Sequence, residues 1–463
     1  MTKFRFTRLA PWCLIALIAA PAHSQPRYTV ADLGTLGEPL CCTQVWGINR
    51  HGQAVGFSAP YNGNFSKAYR TAPDATIKPG DNLGGGPYGS SANAINSLGQ
   101  VAGWVGVDGS AIRAIRGEAN AVYDPATAWG TFGGRDGSGF GINDAGQVTG
   151  SATTPANVSR VFRTAPNAPF NPATDNLDDW SWGSEGMGIN NAGQIVGTVF
   201  TNVGYRPFRI GPNAKLNPAT DILGYGGYGY GINDFGQVTG WFYSPRGGVH
   251  AFRTAPNAPM SAPPEDLGTL GGGWATGNGI NFAGHVVGLS STNANVSHAF
   301  LYIDGKMWDL NDLIQPNSGW TLEQGTSIND FGQIVGNGRF MDASRAFRLD
   351  PVHPYSLRLL YEVTAAKAGA NFTVKVQLLD ASGANVSSPS IALQALTIEQ
   401  LGSRPRSVED GARSDPHNYF RYDSKLGGYT FDFRVKSLPD GAYKLMVRAG
   451  NDPFPYSAPF TVK

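Results

Sequence analysis

The chain has almost no net charge: 35 basic side chains stand against 34 acidic ones over 463 residues, for a formal charge of +1. Binding to a nucleic-acid backbone relies on a surplus of Lys and Arg, so the sequence gives no electrostatic case for nucleic acid as a partner. Cysteine is nearly absent, at three residues. Cys41 and Cys42 are sequence neighbours, and neighbouring Cα atoms lie about 3.8 Å apart, below the usual disulfide range. The pair cannot staple a core, and both read as inert loop residues. Also missing are His-Glu-x-x-His, Gly-x-Ser-x-Gly, a phosphate-binding loop and an Asp-rich calcium loop. The seven His are dispersed. The sequence thus implies no metal and no cofactor, offers no catalytic residue, and leaves open whether the protein is an enzyme.

Apolar runs are short. Lys3, Arg5 and Arg8 precede one from Leu14 to Ala20, and Ala22-His23-Ser24 offers the small residues that a signal peptidase requires. Residues 1–24 therefore read as a signal peptide, which places the mature protein outside the cytoplasm, secreted or periplasmic. The run is too short to span a bilayer comfortably, and no later segment predicts membrane insertion.

Glycine and proline are plentiful instead, at 62 and 31 residues, with aromatics at 11%. Such a composition would hint at disorder if it were aperiodic. It is periodic. Ile-Asn pairs recur at Ile48-Asn49, Ile95-Asn96, Ile142-Asn143, Ile189-Asn190, Ile232-Asn233, Ile280-Asn281 and Ile328-Asn329, with spacings of 47, 47, 47, 43, 48 and 48. A Gly follows each Asn by three residues, and Gln follows that Gly in every copy but one, where His285 stands. Asx side chains bond nearby backbone and Gly accepts positive φ, so each copy predicts a tight antiparallel hairpin. Small residues before each Ile (Gly47, Ala94, Gly141, Gly188, Gly231, Gly279, Ser327) fit a strand closely approached by another backbone. The second strand of each hairpin is rich in β-branched residues.

A third strand follows each hairpin, from Ala68-Tyr69-Arg70 to Ala346-Phe347-Arg348. A fourth resembles Asp266-Leu267-Gly268-Thr269-Leu270, with weaker copies near Asp81, Trp129, Asp175, Asp221 and Asp309. Its first copy, Asp32 to Leu36, precedes the first hairpin, and none follows Arg348. Four strands per 40 to 50 residues is propeller arithmetic. The expected fold is all-β: a seven-bladed β-propeller over residues 25–350, closed by pairing of Tyr28 to Leu36 with the last blade. A parallel β-helix fits tight hairpins poorly. Residues 351–355 read as a Pro-rich linker. Residues 356–463 carry strand candidates at spacings that suit an immunoglobulin-like β-sandwich.

In this arrangement one rim carries the repeated hairpins, and the other carries loops that differ from repeat to repeat, where a rigid scaffold commonly places function. The variable loops hold Cys41 and Cys42, Tyr88, Arg135, Asp136, Asp178, Asp179, Trp180, Trp182, Glu185, Tyr225, Tyr228, Trp274, Trp320 and Glu323, with Trp241 and Tyr243 nearby. Aromatic faces beside carboxylates and Arg suit a sugar, whose C–H face lies on a ring while polar groups take the hydroxyls. The candidate ligand residues are Trp180, Trp182, Asp179, Glu185, Tyr228, Trp274, Trp320 and Arg135, with Trp180 and Trp182 foremost. One basic residue precedes every third strand (Lys67, Arg113, Arg160, Arg206, His250, His298, Arg345). Its recurrence fits a bond internal to each sheet better than a ring that grips an anionic polymer.

His298-Ala299-Phe300 and His250-Ala251-Phe252, with Asp266 to Gly272 and Gly279-Ile280-Asn281, resemble the bacterial extracellular HAF repeat family over residues 28 to 350. Five third strands depart from it by beginning with Arg or Lys. The resemblance implies a secreted or surface-associated protein and supplies no catalytic residue. Some relatives end in an anchoring tail; this chain ends Phe460-Thr461-Val462-Lys463, which implies release. The expected function is a secreted binding protein that presents its propeller face to a glycan or cell-surface partner. The alternative is a polysaccharide-degrading enzyme on the same face, either a hydrolase using acids among Asp136, Asp178, Asp179, Glu185 and Glu323 or a lyase using His, Tyr or Arg. The ligand, the role of the C-terminal module and the oligomeric state are not fixed by sequence.

Overall fold

The computed structural model describes residues 25–37, 40–60, 65–259, 262–361, 365–366, 371–400, 406–408, 418–434 and 438–463, with backbone alone at 40–41, 365–366 and 406–407. The expected signal peptide lies outside the described residues. The chain is all-β, built of many small antiparallel sheets with three short 3-10 turns among the described residues.

Each repeat forms a hairpin and a third strand. In the fourth repeat these are Ser184–Ile189, Ile195–Thr201 and Gly204–Ile210. The hairpin glycines all have positive φ, from 68° at Gly236 to 83° at Gly99 and Gly193, so a Cβ there would be strained. In every repeat the Asn side-chain oxygen accepts the backbone N–H four residues on, at 2.9 to 3.1 Å. The side-chain amide then donates to the Asn carbonyl of the next repeat. These bonds run Asn49 to Asn96, Asn96 to Asn143, and so on to Asn281 and Asn329, at 2.9 to 3.2 Å. Asn329 returns to the Asn49 carbonyl at 3.0 Å. The cycle is closed, and every member is buried.

Packing follows the same circuit. Seven small apolar cores each lie between two neighbouring repeats. One unites Val335 and Ala346 of the seventh repeat with Val45, Ile48 and Tyr69 of the first. The N-terminal strand Tyr28–Asp32 completes that junction by pairing antiparallel with Ala343–Pro351, in register from Tyr28 opposite Pro351 to Asp32 opposite Phe347. The pairing expected of this segment is therefore present.

Every first strand also carries a β-bulge two residues before its Ile, at Trp46, Asn93, Phe140, Met187, Tyr230, Asn278 and Thr326. The bulge drives a carbonyl toward the second strand. A Cβ at Gly150 would collide with the Ser138 oxygen, and the equivalent glycine of each other repeat meets the same obstacle. The residue before each Ile is crowded as expected: a Cβ on Gly231 would reach the Asn278 oxygen of the next repeat at 3.1 Å. The first strands surround a central cavity of about 270 Å³, lined by six of the seven repeat Ile residues, the small residues before them and most of the bulged residues.

The fourth strand is less regular than the sequence predicts. It forms at Asn82–Gly84, Glu265–Gly268 and Lys306–Asp309, but Asn176 and Ile222 make only isolated bridges to the third strand. There the loops 171–175 and 217–221 close on themselves. Asp175 and Asp221 accept the backbone N–H groups of Asn171 and Asn217 at 2.7 and 2.8 Å, an arrangement that competes with ladder formation. Cys42 is also displaced from its expected loop, into the strand Leu40–Ile48.

The C-terminal residues form a four-stranded and a five-stranded sheet over a shared core that includes Val376, Phe433, Leu445 and Phe460. This module docks on the hairpin rim. Arg50 pairs with Glu399 at 2.5 Å, with both side chains buried, and Phe454 inserts against Gly332 and Tyr28. Where the other repeats end their third strand in Arg, the sixth has Leu301. That position shares a core with Phe454. His285, which replaces the usual Gln, faces the same ring at 6.1 Å.

Candidate functional site

On the variable-loop side, the fourth and fifth repeats bring an acid and several rings together. Glu185 lies four residues before Ile189, and Tyr228 four before Ile232, so they hold equivalent places in neighbouring first strands. The residues at this place elsewhere are Gln44, Ser91, Ser138, Thr276 and Gln324. The Tyr228 hydroxyl donates to Glu185 Oε2 at 2.9 Å. Burial pushes the Glu185 carboxyl above its ordinary value of 4.5, opposed by that hydrogen bond.

Tyr228 belongs to an aromatic row. Tyr230 stacks on it at 5.1 Å and Trp241 at 6.4 Å, with planes within 26°, and the Trp241 side chain hydrogen-bonds the Tyr230 phenol. Tyr205 meets Tyr228 edge-on at 5.7 Å, and Tyr243 meets Trp241 edge-on at 5.5 Å. The backbone explains the row. Tyr228 and Trp241 are cross-strand partners, and Tyr230 is the bulged residue, turned beside them by the irregular register. Burial, with the Glu185 carboxylate second, raises the Tyr228 phenol well above the usual tyrosine range, so its hydroxyl is a permanent donor. Tyr205 and Tyr243 are 48% and 60% exposed, which opens the row to solvent.

The remaining expected ligand residues are scattered. Trp180 is half-buried; its indole N–H donates to the Phe200 carbonyl at 2.7 Å, and it packs on the core under its own loop. That engagement turns the residue toward packing. Trp182 is 61% exposed, and Asp179 is exposed and accepts from Asn176 at 3.2 Å. Trp320 stands in a strand, packed on Phe340 and Phe347 at 5.3 and 6.0 Å. Arg135 is exposed on the third repeat's loop. Trp274 is closer to the row, because its backbone pairs with Val249, itself opposite Tyr243. Sequence pattern alone weights Trp180 and Trp182 over Trp241, Tyr230 and Tyr205. The usable signal was Gly-Tyr-Gly-Tyr-Gly, two rings on a bulged strand whose partner strand offers Trp241.

Other acids on this rim are engaged. Asp178 accepts from Ser184 and pairs with Arg160 at 3.3 Å, while Glu323 pairs with Arg339 at 3.1 Å. The seven basic residues before the third strands are engaged too. Arg160, His250, His298 and Arg345 face Asp178, Asp266, Asp309 and Asp32, at 3.3, 2.7, 2.5 and 3.6 Å. Lys67 and Arg206 donate to the carbonyls of Gly86 and Gly224, and Arg113 to that of Ile112. Asp32 belongs to the N-terminal strand, so one pair links the two ends of the circuit.

Among the described residues, no group of three or more His, Cys, Asp and Glu could hold a metal ion, and no helix is long and apolar enough to cross a membrane. No family model matches the chain, and no curated protein matches its sequence.

Proposed function

We propose that the chain is a secreted carbohydrate-binding protein of the HAF repeat type, in which seven sheets form a closed seven-bladed β-propeller carrying an immunoglobulin-like sandwich on its hairpin rim. The closed cycle of Asn bonds, the seven cores between repeats and the pairing of Tyr28–Asp32 with Ala343–Pro351 support the propeller. Secretion rests on the sequence of residues 1–24.

The observation that carries the binding function is the row Tyr230, Tyr228 and Trp241 with Glu185 hydrogen-bonded to Tyr228. Clustered aromatic rings with a carboxyl acceptor and phenolic donors are the composition that a pyranose ring requires. A polysaccharide hydrolase would need a second carboxyl facing Glu185 at about 5 to 10 Å. Asp178 and Glu323 are engaged in ion pairs, which favours binding over hydrolysis. Affinity electrophoresis of residues 25–463 in gels cast with soluble polysaccharides tests the reading. Retardation by at least one polymer is expected, with loss on Tyr243→Ala or Trp241→Ala; retardation untouched by both variants would remove the site.

A further inference from the structure

The charge around the aromatic row limits which carbohydrate it accepts. Glu185 is the acid of the row. Two phenols, Tyr228 and Tyr230, face it from the next repeat. Its own strand, Ser184–Ile189, has no other ionisable residue, and Ile195–Thr201, which pairs with it, has none. The cations on the neighbouring third strands are turned elsewhere: Arg206 donates to the Gly224 carbonyl at 2.9 Å, Arg160 pairs with Asp178 at 3.3 Å, and Arg163 bonds the Gly193 carbonyl at 2.9 Å. On the far side of the row, Arg246 is 3.8 Å from Asp266. A uronate on the rings would therefore meet a carboxylate with no guanidinium of these strands turned to receive it, and like charges so placed cost binding heavily.

A cationic ligand is disfavoured for a geometric reason. Cages for quaternary ammonium groups hold rings apart so that the cation sits within about 6 Å of each centroid. Here the rings occupy one another's faces at 5.1 and 6.4 Å and leave no gap between them. What remains is a ring cluster with a hydrogen-bond acceptor beside Tyr228, which suits an uncharged sugar ring whose hydroxyl donates to the carboxyl.

We infer that the row takes uncharged glycans and rejects polyuronates, with Glu185 as the residue that discriminates. This rests on the carbohydrate-binding reading. Burial already holds the Glu185 carboxyl above its ordinary range, so a uronate approaching at neutral pH adds to a charge that is poorly solvated.

The test uses residues 25–463 in affinity gels cast with neutral polymers (xylan, mannan and a β-glucan), polygalacturonate and chitosan, at pH 7.5. A neutral polymer should bind at least roughly tenfold more tightly than polygalacturonate. Glu185→Gln should narrow that ratio several-fold, because polygalacturonate binding rises relative to neutral binding. Tyr243→Ala, on an exposed side chain, should weaken neutral binding without disturbing the fold. Polygalacturonate or chitosan held more tightly than every neutral polymer, with sensitivity to Tyr243→Ala, would overturn the selectivity and leave the carbohydrate site standing. An unchanged ratio in Glu185→Gln would overturn the role of that residue. No retardation by any polymer would overturn the binding reading itself.

Discussion

The hairpin rim and the variable-loop rim are built from the same seven repeats and use them in opposite ways. On the hairpin rim one residue does one thing seven times, since each Asn folds its own turn and then bonds the next turn. On the loop rim the place held by Ser, Thr or Gln in five repeats becomes Glu185 and Tyr228 in two adjacent ones, and those two touch. Even on the hairpin rim, Leu301 and His285 break the pattern only where Phe454 of the C-terminal module arrives. In a cyclic repeat protein, symmetry maintains the frame and departures from it mark contacts with something else.

The comparison would break most visibly at the bulge glycines. Gly150→Ala places a Cβ against the Ser138 carbonyl, backbone against backbone with nothing to swing aside. Destabilisation of about 4 kcal/mol or more is expected in urea unfolding. Gly130, on an open loop with nothing near its Cβ, should tolerate Ala within about 0.5 kcal/mol. Equal effects at the two positions would mean that the bulge is not a structural requirement.

Next in size is the seam where the symmetry is interrupted. Phe454 is 3% exposed and fills space between the sixth and seventh repeats. Phe454→Ala should cost about 3 to 4 kcal/mol and split calorimetric unfolding into two transitions, as the C-terminal module loses its anchor. A single transition at the wild-type temperature would show that Arg50 and Glu399 suffice to hold the seam.

His285 sharpens the same comparison through pH. Burial lowers its imidazole from 6.5 to about 4. The unfolded chain then binds the proton more readily than the folded one, so this group's contribution is complete above pH 6.5 and is lost as pH falls toward 4. The loss amounts to about 3 kcal/mol. His285→Gln, the residue of the other six repeats, should remove that part of the acid sensitivity when denaturation midpoints at pH 7.5 and 4.5 are compared.

Much of the frame could be read from sequence because it is written seven times. The Asn-x-x-Gly turns, the small residues before each Ile and the early copy of Asp32-Leu33-Gly34 each predicted a contact that is present. The bulge was not legible, although its glycines were in view, because a Gly after a pair such as Val148-Thr149 looks like an ordinary strand interruption until its carbonyl partner is known. The site was half legible for a related reason. Glu185 and Tyr228 are recognisable as unusual, but Trp180 and Trp182 are more conspicuous in one dimension. Only the cross-strand register puts Trp241 beside Tyr228 and leaves the Trp180 indole bonded to Phe200.

The smallest effect lies at the site itself. Because burial raises the Glu185 carboxyl, its contribution to stability is complete below the unfolded value of about 4.5 and is lost as pH rises through the folded value. At pH 7.5 the folded protein therefore carries a carboxylate that it disfavours, and Glu185→Gln should raise Tm by on the order of 2 °C, with the gain vanishing below pH 4.5. Gln keeps an oxygen that can accept from Tyr228, so the aromatic row should survive. A fall in Tm at pH 7.5 would mean that the Tyr228 hydroxyl needs the charge, and Glu185 would then belong to the frame more than to the ligand surface.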